Sequence, residues 1–221
     1  MKLKFFRLLS YYFPITKKIP SVHSGLLQLK FVDGKVLLDS RSASHSYGTQ
    51  QKVLEFAIRN IELSDIRTVL LLGLGGGSVI RSLRRRFRYR GKIKAVDIDP
   101  LMINVAADEF GIRLDKRTQI ECCEASSYIT RETKTFDLII VDLFIDNHVS
   151  KEILTDEFWC SLKDRVSPNG HIIFNSMHET YSITQAIKYK IRKWGFSVKE
   201  CNHVECYNTV LIAKSCMTWF G

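Results

Sequence analysis

Apolar and polar positions follow two rhythms along this chain. Residues 26–41 read as a β-hairpin: Leu-Leu-Gln-Leu-Lys-Phe-Val, then Asp33-Gly34, then Lys-Val-Leu-Leu-Asp. Asp-Gly between two apolar runs is a strong turn signal, because glycine takes positive φ without steric cost. Val53, Leu54, Ala57, Ile58 and Ile61 then recur at helical spacing and predict one buried helix face. From Arg67 onward strand and helix patterns alternate. Thr68–Leu72 is a continuous apolar run, the signature of a strand buried on both faces of a parallel sheet. Val79, Ile80, Leu83 and Phe87 form a helical stripe, and Ile93–Ile98 is the next strand. Asp99-Pro100 opens the helix after it, with Pro at the first position, where no N–H is missed. Ile120–Cys123 and Phe136–Asp142 read as strands and Phe158–Val166 as a helix, while Pro168-Asn169-Gly170 turns into a strand over His171–Asn175. A helix from Ile183 to Trp194 precedes two closing strands, near 196–204 and 209–214, expected to pair as an antiparallel hairpin at one edge.

Repeated βα units with right-handed crossovers predict an α/β protein with a doubly wound, Rossmann-like, mostly parallel sheet. The expected division is an N-terminal segment with its β-hairpin over residues 1–45 and a main domain over 46–221.

Composition narrows the field. The chain has 221 residues, 45% hydrophobic and 25% charged, which excludes a disordered or fibrous protein. Lys plus Arg number 33 against 23 Asp plus Glu, a formal charge of +10 that favours anionic partners. No run approaches the ~20 apolar residues of a membrane span. The first nine residues begin like a signal peptide, but Arg7 interrupts the apolar stretch and Lys17 and Lys18 follow without a small-x-small cleavage site. The expectation is a cytoplasmic protein with no membrane role, its six scattered cysteines being free thiols.

The chemistry is expected at Val69-Leu-Leu-Leu-Gly73-Leu-Gly75-Gly76-Gly77-Ser78, where a buried strand breaks into glycines and then a helix. Glycines admit a ligand close to the backbone, and the crevice at the carboxyl ends of the strands is where open α/β sheets bind ligands. A dinucleotide site is the rival, yet G-x-G-x-x-G wants Gly or Ala where Ser78 stands. Asp97, at the end of the next strand, is suited to accept bonds from both ribose hydroxyls, and with Asp99 as the helix cap it is expected to be spare for a ligand. Glu124-Ala125, after the third strand, is in position to reach a base; a first-turn helix acid is the alternative for Glu124.

Glycine loop, Asp97, Glu124-Ala125 and Phe136-Asp-Leu-Ile-Ile-Val-Asp142 together resemble the seven-stranded fold of S-adenosylmethionine-dependent transferases. With the preceding hairpin, and with Val141-Asp142-Leu-Phe144 followed by Ile153-Leu154-Thr155-Asp-Glu157-Phe158, the resemblance is to the spermidine synthase-like branch, over residues 25–214. It implies a transferase using S-adenosylmethionine or its decarboxylated form. Gly73, Gly75 and Gly77 would line the methionine side, Asp97 the ribose and Glu124-Ala125 the adenine, with Ile98 a further cofactor-binding residue. Asp142 would face the sulfonium and the incoming nucleophile as the catalytic base; a strand-end carboxylate satisfied by loop amides is the alternative. The resemblance also implies a homodimer and a small-molecule acceptor.

The departures point to methyl transfer. Where the family has an Asp-Glu pair ahead of a Tyr, this chain reads Ser46-Tyr47 and Gln50-Gln51. The Asp-x-x-Asp pair becomes Asp142-Leu-Phe-Ile-Asp146, one residue too long. A polycationic acceptor without those anions loses the pairing that offsets its desolvation. Aminopropyl transfer is the alternative reaction, and a silent nucleoside-binding module with an anionic partner is a third reading. Nucleic acid could engage Arg81–Arg90, although such a run is more often a solvated face. Cys201-Asn-His203-Val-Glu-Cys206 suggests metal, but on a strand Cys206 would face away from Cys201 and His203; no metal is expected. Asn147 and His148 are candidate acceptor contacts.

Overall fold

The computed structural model describes residues 2–39, 49–145, 148–177 and 181–216. A short amphipathic helix α1 (Lys2–Leu9) precedes a three-stranded antiparallel sheet of β1 (Ile15–Ser21), β2 (Gly25–Val32) and β3 (Lys35–Asp39). The predicted hairpin is β2–β3. Val32 pairs with Lys35, and both loop residues, Asp33 and Gly34, have positive φ, as a two-residue turn of right-twisted strands demands. Strand β1 is an addition to the sequence reading. Its Ile-Thr-Lys-Lys-Ile-Pro-Ser carries lysines and a proline, a composition suited to an edge strand that resists further pairing. Leu27, Leu29, Phe31, Val36 and Leu38 bury one face of this sheet.

Helix α2 (Thr49–Arg59) follows, burying Val53, Leu54, Ala57 and Ile58 as its spacing predicts. Next come β4 (Thr68–Leu72), α3 (Ser78–Arg81), β5 (Lys92–Asp97), α4 (Pro100–Asp108), β6 (Thr118–Cys122), α5 (Ala125–Arg131) and β7 (Phe136–Val141). A two-residue ladder joins β8 (Phe144–Ile145) to β9 (His148–Val149) before α6 (Asp156–Lys163), β10 (Val166–Met177), α7 (Tyr181–Lys193), β11 (Phe196–Val204) and β12 (Asn208–Ser215). The main sheet has seven strands in the order β11-β12-β10-β7-β4-β5-β6. Strands β10, β7, β4, β5 and β6 are parallel, and β12 runs against both β10 and β11. This is the doubly wound sheet with a terminal antiparallel hairpin that the sequence predicts. Pro168-Asn169-Gly170 lies inside β10 as an irregularity: the pairing with β7 slips between Val166 and His171, and Asn169 has φ 59°.

Two apolar layers sandwich the sheet. The N-terminal sheet, α2, α3 and α4 pack on one face through Leu54, Ile58, Val69, Leu71 and Val105, and α5, α6 and α7 on the other through Tyr128, Trp159, Phe174 and Ile187. Burying some fifty apolar side chains, at about 1.5–3 kcal/mol for each large one, supplies the drive that offsets chain ordering. Among the described residues no helix is long and apolar enough to cross a membrane.

Candidate active site

Strand order reverses at β4. The chain proceeds outward through β5 and β6 on one side, then returns to add β7 and β10 on the other. The connections that leave β4 and β7 therefore turn to opposite faces of the sheet and open a crevice beyond the strand ends, the topological switch point of the sheet. Gly73 ends β4 with φ +90°, and a Cβ there would collide with the Asp142 carbonyl oxygen beyond β7, so only glycine lets the two strand ends close up. A cavity of about 280 Å³ opens over this junction.

Seven of the eight residues singled out from the sequence border the cavity: Gly73, Gly75, Asp97, Ile98, Glu124, Ala125 and Asp142. Gly77 does not. It starts α3 with φ +74°, and a Cβ there would lie 2.6 Å from Ile112 Cγ1, so its smallness serves helix packing.

Asp97 is turned toward the cavity but is not spare. Its Oδ2 accepts the Leu74 N–H at 2.8 Å and the Gly75 N–H at 3.3 Å, and its Oδ1 accepts the Asp99 N–H at 2.9 Å. Asp99 caps α4 as expected, accepting from Leu101 N at 2.9 Å, yet that does not release its neighbour, because the Leu74 and Gly75 amides of the glycine loop take Asp97 as their acceptor. Burial pushes the Asp97 carboxyl up, and the three backbone bonds pull it back. A carboxylate offers about four lone-pair positions, so Asp97 keeps capacity for a hydroxyl on its Oδ1 side.

Asp142 has a different setting. Burial raises its carboxyl to about 6, and the bond from Asn175 Nδ2 to its Oδ1, at 3.0 Å, opposes that shift. Asn175 is fully buried on β10, next to β7. The sequence reading missed it, although its signal is present: the apolar run of β10 breaks to Asn175-Ser176 at the carboxyl end of a parallel strand. Glu152 was also missed. It borders the cavity from the segment after β9, accepting from Ser126 N at 3.1 Å and Ser150 Oγ at 3.2 Å. Glu124 is exposed at the start of α5 and accepts from Ser127 Oγ at 2.9 Å. Gln50 of α2 and His23 of the β1–β2 turn close the opposite side.

The charge of the site is opposite to that of the chain. Asp97, Glu124, Asp142 and Glu152 line it, with no Lys or Arg among the described lining residues. A +10 protein thus presents an acidic crevice, one that attracts a cation at short range whatever the global charge. Ile98, 45% exposed at the rim, adds an apolar surface suited to a flat ring. Ser46, Tyr47, Asp146 and Asn147 lie outside the described residues, as does the side chain of His148. Cys206 sits in the turn after β11 rather than on the strand, and the pairing of β11 slips between Cys201 and Val204 with His203 at φ 58°, so the alternation argument does not apply to this stretch; no group of metal-binding side chains gathers among the described residues.

The arginine run divides. Arg84 donates to the Tyr89, Gly91 and Arg117 carbonyls and to Thr118 Oγ1, which makes it a strut between α3 and β6. Arg86 pairs instead with Glu55 of α2. A π-helical turn over Ser82–Arg86 shifts the phase of the run and sends its members to different neighbours.

Comparison with known proteins gives this geometry a lineage. The spermine/spermidine synthase domain model matches residues 51–216. A polyamine aminopropyltransferase from Sulfolobus acidocaldarius is 31% identical over 146 residues, covering 62% of this chain and 47% of that protein. An eEF1A lysine and N-terminal methyltransferase homolog from Drosophila pseudoobscura pseudoobscura is 26% identical over 192 residues, covering 75% of this chain and 28% of that one. The chain spans less than half the length of these curated relatives. Among solved structures, a probable spermidine synthase from Corynebacterium glutamicum superposes with a TM-score of 0.75 at 15% identity, covering 94% of this chain and 82% of its own. Human Methyltransferase-like protein 13 in complex with SAH gives 0.64 at 20% identity, over 78% and 85%. At these identities the solved structures speak for the fold, whereas the domain match extends over three quarters of the sequence. The chain belongs to the spermine/spermidine synthase family.

Proposed function

We propose that the chain is a group-transfer enzyme that binds a sulfonium nucleoside across the carboxyl ends of β4, β5 and β7, and that it moves a methyl group from S-adenosylmethionine to an amine or hydroxyl of a small-molecule acceptor. The carrying observation is Asp142, a carboxylate raised to about 6 at the floor of a crevice with an acidic lining. The residues present fit the donor. Gly73 and Gly75 leave room beside the backbone, Asp97 has an acceptor position open to a ribose hydroxyl, and Ile98, Glu124 and Ala125 border the space for adenine. The acids compensate the positive sulfur. When bound, S-adenosylmethionine supplies a carbon on a positively charged sulfur, open to displacement in line.

Asp142 then has the task of orienting the nucleophile and accepting its proton. Asn175 holds the carboxylate through one oxygen and leaves the other for the acceptor. A carboxyl near 6 is mostly ionised at neutral pH, yet basic enough to take a proton as the new bond forms.

Aminopropyl transfer from the decarboxylated donor is the second reading, and a specific observation favours it. The amides of Leu74 and Gly75 are bonded to Asp97, that of Gly73 to Val96 O, and that of Gly77 to Leu74 O. A donor carboxylate would therefore enter an acidic crevice with few loop amides to receive it. Methyl transfer is supported from the acceptor side: Gln50 stands on α2 where a carboxylate would hold a polyamine, and Glu152 is already bonded to Ser126 and Ser150.

Calorimetric titration with S-adenosylmethionine, its decarboxylated form and NAD separates the readings. Tighter binding of the carboxylated sulfonium is the expected result. A tenfold preference for the decarboxylated form transfers the assignment to aminopropyl chemistry, and binding of NAD alone overturns both.

A further inference from the structure

A second cavity, of about 630 Å³, lies on the other side of α2, between that helix, the N-terminal sheet and α3. It shares no lining residue with the acidic crevice, although Gln50 faces one and Gln51 the other. Its charged lining is Arg7, Lys35, Lys52, Arg81 and Arg86 against the single acid Glu55. Glu55 is 2% exposed and already engaged by Arg86, Arg59, Ser82 Oγ and Gln51 Nε2, so it has little left to offset the other cations. Lys52 also meets Glu205 at 3.6 Å, an exposed and therefore weak pair.

Two of the lining cations, Arg7 and Arg81, repel each other, and Arg85, outside the lining, adds to the repulsion. Burial lowers the Arg81 guanidinium, and the neighbouring charges of Arg85 and Arg7 lower it further. Arg7 donates to the Glu109 carbonyl and its charge acts on the buried Glu109 carboxylate, which lies outside the cavity lining, yet among the described residues the Arg7 Nε has no hydrogen-bond partner. A buried guanidinium N–H without an acceptor is costly, and an anion in the cavity would relieve both that cost and the mutual repulsion. At the rim, the Tyr11 ring sits over Gly34, where a Cβ would collide with it, and Tyr11 is 66% exposed; Tyr12 and Phe13, 78% and 70% exposed, follow directly. Cations in a groove with aromatic faces at its edge are the combination that grips single-stranded nucleic acid, phosphates to the charges and bases to the rings.

We propose that this cavity, built by Arg7, Lys35, Lys52, Arg81 and Arg86 with Tyr11 at its edge, is a binding site for the phosphates of a single-stranded nucleic acid. The sequence run Arg81–Arg90 is thus only partly the relevant surface. Arg84 is spent on carbonyls, while Arg7, Lys35 and Lys52 join from elements remote in sequence.

Fluorescence anisotropy of a labelled twelve-nucleotide oligouridine with the full chain tests the site independently of any transfer assay. Engagement of about four phosphates predicts a roughly 50-fold loss of affinity between 50 and 200 mM salt. The K35Q/K52Q double variant, altered only at exposed side chains, is expected to bind at least tenfold more weakly with a shallower salt slope, and Y11A several-fold more weakly. K134Q, which removes one exposed charge between α5 and β7, outside the cavity lining, should leave binding unchanged. Three results overturn the proposal: salt-insensitive or undetectable binding, losses in K134Q equal to those in the cavity variants, or binding of oligoglutamate as tight as that of oligouridine, which would identify an acidic peptide as the partner.

Discussion

Strand β7 carries an aspartate near each end, and the two have opposite fates. At its amino end, Asp137 Oδ2 accepts the Arg67 N–H and the Thr68 N–H, each at 2.9 Å, and Thr68 Oγ1 at 3.0 Å. It pins the start of β4 to the start of β7. Just past the carboxyl end, Asp142 has one side-chain donor among the described residues, Asn175, and burial raises its carboxyl to about 6. Residue type is the same and so is the sheet. What differs is how many donors the surrounding chain has already committed, and an acid whose lone pairs are uncommitted is one that chemistry can use.

The sharpest way to break this comparison is D142N. A positioned base is worth about 10²–10⁴ in rate, so initial-rate assays with the sulfonium donor should show a loss in that range, while Asn175 can still donate to the amide oxygen. The same substitution should stabilise the chain at high pH. Because the folded carboxyl titrates near 6 rather than at the ordinary 3.8, the folded state binds the proton more tightly than the unfolded one. That contribution to stability is complete below about 3.8 and is lost as pH rises through about 6. Melting temperatures of D142N minus parent should therefore grow more positive from pH 4 to pH 8. A variant that transfers at the parental rate removes Asp142 from catalysis.

D137A is the counterpart. It removes the acceptor of the Arg67 amide just ahead of β4, of the Thr68 amide and of the Thr68 hydroxyl at the rim of the sheet, at a cost of about 2–3 kcal/mol in urea unfolding. Donor affinity should not move. If D137A weakens donor binding as strongly as it weakens the fold, the division of labour between the two strand ends is wrong.

Asn175 sharpens the contrast. In N175A the Asp142 carboxylate loses the bond that favours its charged form, so the rising limb of the pH–rate profile should move above 6. The rate at pH 6 should drop several-fold and recover toward pH 8. A uniform loss at all pH values would mean that Asn175 contacts the acceptor instead of tuning the base.

Most of the frame was legible in the sequence because it is local. Thr68–Leu72 reads as a doubly buried strand, Asp33-Gly34 as a tight turn and Asp99-Pro100 as a helix start, each from a few adjacent side chains. Features made by tertiary pairing were not. Strand β1 hides behind the lysines and proline that protect an edge, and Asn175 and Glu152 reach the crevice only through the packing of β10 and of the segment after β9. Asp97 shows the limit most clearly: spacing identifies it as a strand-end acid, but no pattern reveals that the glycine loop folds back to donate to it. The arginine run is a matter of phase, since a single π-helical turn decides which guanidinium meets a carbonyl and which a carboxylate.

Asp99 stands between the two aspartates of β7 and gives the smallest effect. It is 2% exposed, and its Oδ1 caps α4 while its Oδ2 accepts the hydroxyls of both Ser21 and Ser24. One structural carboxylate thus ties the β1–β2 turn, with His23, Ser24 and Gly25, to the wall of the crevice. S24A removes one of its donors and leaves the helix cap and Ser21 in place, so the stability cost should be about 1 kcal/mol. Its functional effect should appear in binding rather than in chemistry. A looser turn raises the donor Kd by about 1 kcal/mol at most, roughly fivefold, because the turn borders the ligand but carries no reacting group. Single-turnover rates at saturating donor should match the parent. A fall in that rate with donor affinity intact would mean that the N-terminal sheet positions the acceptor, and that a fully donated carboxylate can serve the reaction through the backbone it holds.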